Sequence, residues 1–506
     1  YRIANFKTAS ADKDAGAAFL KYKDFKPYVD YFNSMEDENI AQAIPNARAS
    51  QWMEENIPLF ECSQKNFEEM YYYRWWTLRK HIKETPVGYG MTEFLVNRSY
   101  ADKYNLIACA IGHHIYESRW LRNPEYLNQI IHTWYRGNEG GPMAKMTKFS
   151  SWNADAVLGR YMVDGNKEFL LDMVKDLEAE YARWEKTNRL PNGLYWQGDV
   201  QDGMEESISG GRRKQYARPT INSYMYGNAK ALSLIGIMTG DEGMAMKYGL
   251  KADSIKTLVQ DKLWNTDHHF FETMRGDASA EVREAIGYIP WYFNLPDASS
   301  KYTVAWKEVM DEKGFSAPYG LTTAERRHPE FRTHGVGKCE WDGAIWPFAS
   351  AQTLTAMANF MNNYPQTVLT DSVYFHHMER YVESQHHRGR PYIGEYLDEV
   401  TGYWLKGDQE RSRYYNHSTF NDLMITGLIG LRPRMDNTVE VNPLIPEGKW
   451  DYFCLDNVLY HGRNLTILWD KDGSRYQRGK GLHIYVDGKE VGHADTLTRV
   501  LCENVL

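Results

Sequence analysis

The sequence predicts a mainly α chain, a double ring of antiparallel helix pairs of the (α/α)6 type, closed by a small β-rich C-terminal region. Three observations carry that prediction. Apolar residues recur at three- and four-residue spacing in 64–85, 101–118, 147–162, 166–186, 222–238, 242–263, 345–361, 366–384 and 416–429, the period of a helix with one buried face. No strand–helix–strand rhythm interrupts them, so stacked helices are the layer architecture available. After about residue 436 the helical period gives way to short alternating runs, as strands require.

Taken in order, residues 1–63 are mixed and polar and read as an extension packed on the body. Residues 64–435 form the helical toroid, whose loops are marked by Gly and Pro clusters such as RGNEGGPM (136–143) and NRLPNG (188–193). Residues 436–506 form the β-rich region. Within it GLHIYVDGKEVG (481–492) reads as a hairpin turning at Asp487-Gly488, since both turn positions need a left-handed backbone. No internal repeat or low-complexity segment is visible.

The 506-residue chain is 42% hydrophobic and 25% charged, an ordinary globular balance, but its aromatic content reaches 14%. Trp and Tyr combine a large apolar face with a polar handle, which suits both a large core and the stacking of sugar rings. A net charge of −8 without a basic stretch speaks against nucleic acid as a partner. No apolar run approaches the ~20 residues of a membrane span. Five cysteines with no CxxC pair argue against a disulfide framework or a zinc site. The His-His pairs at 113–114, 376–377 and 386–387 lack a ligand spacing and read as core or surface histidines. A start at Tyr1 suits removal of a leader, so export to the periplasm or outside the cell is expected.

Three stretches place acids beside glycine and aromatics. WQGDVQDGMEESISGG (196–211) holds Asp199, Asp202, Glu205 and Glu206 in a Gly- and Ser-rich loop. Clustered carboxylates raise one another's pKa, one route to a general acid, although such clusters are often structural. RPYIGEYLDEVTGYW (390–404) sets Glu395 between Gly394 and Tyr396. KCEWDGAIWPF (338–348) flanks Asp342-Gly343 with Trp341 and Trp346, a composition fit for a pocket wall or for core packing. Farther upstream, YYYRWW (71–76) and GHHIYESRWL (112–121) mix aromatic platforms with charge.

In this order the segments resemble glycoside hydrolase family 63, with the mannosylglycerate hydrolases and family 37 trehalases as relatives: six-hairpin glycosidases. EYLDEVTG (395–402) is similar to the family's general-base pattern ENYNPxTG, EWDGAIW (340–346) to YWRGxxW with Asp342 in place of Arg, and SYMYGN (223–228) to SYMYSD. DGMEES (202–207) corresponds to the family's acid segment. The tail NPLIPEGKW…LDNVLYHGRNLTI (442–467) looks like the small β-domain that follows the toroid in related hydrolases and phosphorylases. The resemblance spans about residues 70–430.

It implies hydrolysis of an α-linked glycoside with inversion. Glu395 would be the base, with Glu205 or alternatively Asp202 the acid. The carboxyls would lie ~6.5–9.5 Å apart, or ~5 Å apart if the enzyme retains configuration. Trp341, Asp342, Trp346, Tyr396, Glu117, Arg119 and Trp120 would line the sugar site, with Trp120 joining Trp341 and Trp346 as stacking platforms. No cofactor is required; relatives carry a structural calcium, although no calcium-loop motif is visible. The rivals are a phosphorylase, a lyase using Tyr224 or His417 as base, and a non-catalytic glycan-binding protein. Oligomeric state and the identity of the sugar stay open.

Overall fold

A computed structural model describes residues 19–506. Fourteen α-helices are assigned among them: α1 (Lys26–Ser34), α2 (Ala49–Asn56), α3 (Lys65–Lys80), α4 (Ile111–Ser118), α5 (Pro124–Arg136), α6 (Asn153–Asp164), α7 (Lys167–Asn188), α8 (Pro219–Thr239), α9 (Glu242–Leu258), α10 (Ile289–Tyr292), α11 (Ser300–Thr303), α12 (Pro347–Asn363), α13 (Asp371–Ser384) and α14 (Asn421–Leu423). Their ends follow local chemistry. Asn166 and Asp241 accept from the amides of Phe169 and Met244 at 3.0 and 2.9 Å, capping α7 and α9. Gly165 and Gly240 close α6 and α8 at φ 66° and 73°, where a side chain would be strained. Helix α8 packs on α6 and α9 and is buried along most of its length.

Two helical expectations shift. The 101–118 period forms α4 only from Ile111, because Lys103–Asn105 and Ala108–Ala110 tighten into 3-10 turns, with Tyr104 and Asn105 left-handed. The 416–429 stretch is extended until α14, then continues as a π-turn over Met424–Leu428. Here the backbone is claimed from outside: Tyr414 N–H donates to Ile393 O, Asn416 N–H to Glu93 O and Phe420 N–H to the Glu117 carboxylate. Such bonds outcompete a local helix. Helices α1, α2 and α5 lie outside the periodic stretches, although Asn123-Pro124, a cap followed by Pro, marks the start of α5.

The C-terminal region is a five-stranded antiparallel sheet ordered Leu59–Cys62, Tyr452–Tyr460, Arg463–Asp470, Gly481–Val486, Lys489–Ala494. The expected hairpin turns at Asp487-Gly488, with φ 48° and 76°. One edge strand comes from the N-terminal segment, Leu59 facing Asp456 and Cys62 facing Phe453. One large apolar core runs from Leu20 to Cys502, joining body and sheet, and a second, small cluster gathers Ile208, Ala280, Val282 and Ala324. All five cysteines are unpaired thiols. Among the described residues no helix is long and apolar enough to cross a membrane.

Candidate active site

The acidic loop is an excursion from a short hairpin. Trp196 pairs with Ala217 and Gln197 with Tyr216, so residues 198–215 leave and re-enter the fold at one short hairpin. Within the loop, Arg275 holds the Ile208 and Ser209 carbonyls and Glu284 the Ser209 amide. The loop turns sharply through left-handed Gly203, Glu206, Gly211, Arg212 and Arg213. At Gly210 a Cβ would fall 2.3 Å from Asp199 Oδ2, so only glycine fits there. Glu205 sits on this loop. Burial, then the nearby Asp199 and Glu395 carboxylates, push its pKa up to about 7, against the pull of its own amide and of Lys406. That is the poise a general acid needs near neutrality.

Asp202, the alternative acid, has a different task. Its carboxylate is fully engaged by Arg218 Nε (2.6 Å), Thr220 Oγ1 (2.5 Å) and the Ser150 hydroxyl. Arg218 and Asp202 are both buried. With both oxygens taken up by protein donors, Asp202 serves as a buried ion pair that ties the loop to the start of α8.

The second loop follows α13 and a small hairpin, His386–His387 with Arg390–Pro391. Glu395 is buried, with Lys406 Nζ 3.3 Å from Oε2 and an Arg411 guanidinium nitrogen 3.7 Å from Oε1. The next residues are pinned from both sides. Leu397 exchanges two 3.0 Å backbone hydrogen bonds with Ile345. Asp398 closes the turn to Gly402 by accepting from the Val400 and Thr401 amides. Arg332, itself left-handed at φ 53°, forks onto Glu340, Asp398 and Glu399 at 2.6–2.7 Å. That bidentate reach joins the 326–342 loop to the Glu395 loop.

Trp341, Trp346 and Tyr396 form a stack of near-parallel rings, 4.4 and 4.5 Å between centroids. The stack ends at Tyr396, whose hydroxyl donates to Lys338 O. Asp342, expected on the pocket wall, is turned away. Its Oδ2 accepts from the His334 and Gly335 amides at 2.6 and 3.0 Å, shaping the loop beneath the stack.

The upstream set is corrected as a group. Glu117 accepts from the amides of Phe420, Asn421 and Asp422, capping α14. Arg119 and Trp120 Nε1 both donate to Asp422 Oδ1, at 2.9 and 2.7 Å. All three are buried and tie α4 to α14 rather than facing a ligand. Arg74 is likewise spent on Gln385 and Ser418. Tyr224, considered as a lyase base, is buried, accepts from Gln352 at 2.7 Å and has its phenol pKa pushed well up by burial.

Four residues at the site escape the sequence motifs. Lys406 and Arg411 sit in the charge-rich run WLKGDQERSR, which reads as solvated surface. Glu93 is fully buried, accepts from the Tyr415 phenol and, at 3.2 Å, from the Cys109 thiol, and its carboxyl is pushed up to about 8 by burial, with Glu205 and Glu395 adding to the rise. His417 stacks on Tyr415 at 3.7 Å. In the sequence it offers itself only as a lyase base, and no local signal marks it as part of this wall. Among the described residues no three His, Cys, Asp or Glu side chains gather to hold a metal ion.

Residues 103–418, which include both Glu205 and Glu395, match the mannosylglycerate hydrolase MGH1-like glycoside hydrolase domain. Residues 431–493 match the C-terminal domain of glycosyl hydrolase family 65. Among solved structures, a protein named "Sialidase" is 83% identical over 98% of this chain, with a TM-score of 0.97. The present chain spans 46% of that protein, about half its length. The GH63 mannosylglycerate hydrolase of Thermus thermophilus in complex with glucose is 12% identical, with a TM-score of 0.51 over 70% of this chain and 99% of its own. A GH78 family rhamnosidase from a Bacillus species is also 12% identical, with a TM-score of 0.54 over 82% of this chain and 40% of its own. The last two likenesses concern the fold. The match takes in both Glu205 and Glu395 and covers more than half of the chain, and it leads to one assignment: this protein belongs to the MGH1-like glycoside hydrolase family.

Proposed function

We propose that the chain is an inverting hydrolase of an α-linked glycoside, built on an (α/α)6 toroid, with Glu205 as general acid and Glu395 as general base. The observation that carries this reading is the contrast between the two carboxyls. Glu395 has Lys406 and Arg411 beside it, 3.3 and 3.7 Å from its two oxygens. Glu205 is raised to about 7 and so keeps its proton near neutrality. Different environments for two carboxyls are how one site supplies both acid and base. Water attacks the anomeric carbon as Glu395 removes its proton, and Glu205 protonates the departing oxygen from the other side. The Trp341–Trp346–Tyr396 stack offers the apolar surface against which a sugar ring is placed. No step requires a cofactor, and an exported location remains the expectation for such an enzyme.

A second reading has one observation behind it. Sialidases use a tyrosine nucleophile, the 83% identical relative bears that name, and Tyr415 is bonded to Glu93 here. Against it, burial drives the Tyr415 phenol well above its ordinary pKa, which disfavours the phenolate.

One experiment separates the two. A panel of α-linked gluco-, manno- and rhamnosides plus a sialoside is digested, and the first-formed anomer is followed by NMR. The inverting reading expects the β-anomer from an α-glycoside, with Glu395→Gln and Glu205→Gln each about 10²–10⁴-fold slower. Release of the α-anomer, or full activity in Glu395→Gln, overturns it. Cleavage of the sialoside alone, abolished by Tyr415→Phe, establishes the second reading.

A further inference from the structure

Six histidines are buried in the described structure, and they divide into two groups. His81 bonds Thr92 and Tyr414 O, His114 bonds Asn416 O, His377 bonds Val309 O, and His483 bonds Glu490 and Gly479 O. Each therefore anchors at least one ring nitrogen. His113 and His417 meet no partner at good hydrogen-bond geometry: all four of their nitrogens are buried and unpaired among the described residues, with only looser backbone approaches from Phe348 and Glu395. An unpaired buried polar group costs about 1–3 kcal/mol, and buried polar groups in native proteins are nearly always satisfied.

These two rings are not scattered. Both contact Phe348, His113 edge-on at 4.5 Å and His417 at 5.9 Å. Phe348 also meets Trp341, which stacks on Trp346, and Trp346 touches His417 at 6.1 Å. Trp341 Nε1 and Glu395 Oε1 are buried on the same wall and also lack hydrogen-bond partners. Six orphaned polar atoms thus converge on one aromatic surface beside the base.

We propose that His113 and His417 form the sugar-reading floor of this site, where each neutral imidazole offers one donor and one acceptor to ring hydroxyls of the bound glycosyl unit, with Trp341 Nε1 as a further donor. A hydroxyl is both donor and acceptor, so it matches a neutral imidazole better than a charged side chain does. Burial lowers the pKa of His113 to about 3 and holds that of His417 well below the usual range, so the rings stay neutral at any working pH. The inference rests on the hydrolase reading only for the placement of the sugar beside Glu395.

The test is binding without turnover. Tryptophan fluorescence of Glu395→Gln is titrated with D-glucose, D-mannose, D-galactose, D-xylose, L-arabinose and L-rhamnose, in the otherwise native chain and with His417→Phe, His417→Gln or His113→Phe added. We expect saturable binding of at least one sugar, about 10-fold or more weaker with either Phe. His417→Gln, which keeps a donor and an acceptor, recovers part of the loss. The Phe variants should melt no lower than their parent, because an apolar ring removes two orphaned nitrogens. Unchanged affinity in His417→Phe and His113→Phe, or no saturable binding of any sugar, overturns the proposal. Imidazole-dependent binding with no hydrolysis of the glycoside panel would leave this floor standing and remove the catalytic reading.

Discussion

The two loops that carry Glu205 and Glu395 differ in how they are held, and the difference suits the roles proposed for them. The Glu395 loop is braced: paired backbone bonds between Leu397 and Ile345, a turn closed by Asp398 and the Arg332 fork fix it on three sides. The Glu205 loop is held mainly by side chains from other segments: Arg218 on Asp202, Arg275 on the Ile208 and Ser209 carbonyls, and Glu284 on the Ser209 amide, while its turns use left-handed backbone. A base must hold a water at a set distance from one carbon, which favours rigidity. An acid must meet leaving groups of varied shape, and its task depends on keeping a proton, which burial and neighbouring carboxylates supply.

That contrast can be broken at several places, in descending order of effect. Asp202→Asn removes the charge that Arg218 requires inside the protein, and breaking such a buried pair costs about 3–5 kcal/mol. Chemical denaturation should show a large loss of stability, yet the folded fraction should keep the alkaline limb of the wild type. A vanished limb would return Asp202 to candidacy as the acid. Arg332→Ala frees the Glu395 loop from the 326–342 loop. We expect kcat to fall roughly 10-fold with KM little changed, since misplacement of a catalytic group acts mainly on the chemical step. Arg332→Lys should recover little, because an ammonium cannot fork across three carboxylates. An equal rise in KM would make this loop a binding element instead.

The smallest effect is on pH. The acid works while protonated, so activity should be lost as pH rises through about 7, with the apparent value belonging to the coupled carboxyls. Asp199 raises the pKa of Glu205. Asp199→Asn should therefore move the alkaline limb to lower pH and leave activity at pH 5 nearly unchanged. A limb that stays put would mean Asp199 shapes the loop without tuning the acid.

Much of the helical body is legible from the 3.6-residue period because tertiary packing agrees with it, as in α7, α8, α9 and α12. It fails at 416–429, where distant polar groups claim the backbone. At the site, Glu395, Tyr396, Trp341 and Trp346 are readable because loop residues and aromatics sit together in sequence. Glu117, Arg119 and Trp120 mislead for a physical reason: an Arg, a carboxylate and an indole that could grip a sugar serve equally well to clamp α14. Glu93, Lys406 and His417 carry no local signal, since only folding brings them beside Glu395.

The edge strand Leu59–Cys62 has a consequence for how the molecule is made. The C-terminal sheet is completed by a segment synthesised early, and the Leu20 amide donates to Asp456 across 436 residues of chain. Such non-local closure is slow, because a long loop must be ordered before the contact repays it. During translation the first segment emerges long before its strand partner exists, so the nascent chain must wait, partly assembled, until the last strands leave the ribosome. Cutting the chain between the helical body and the sheet would then yield two fragments with exposed strand edges, prone to associate, rather than two independent domains.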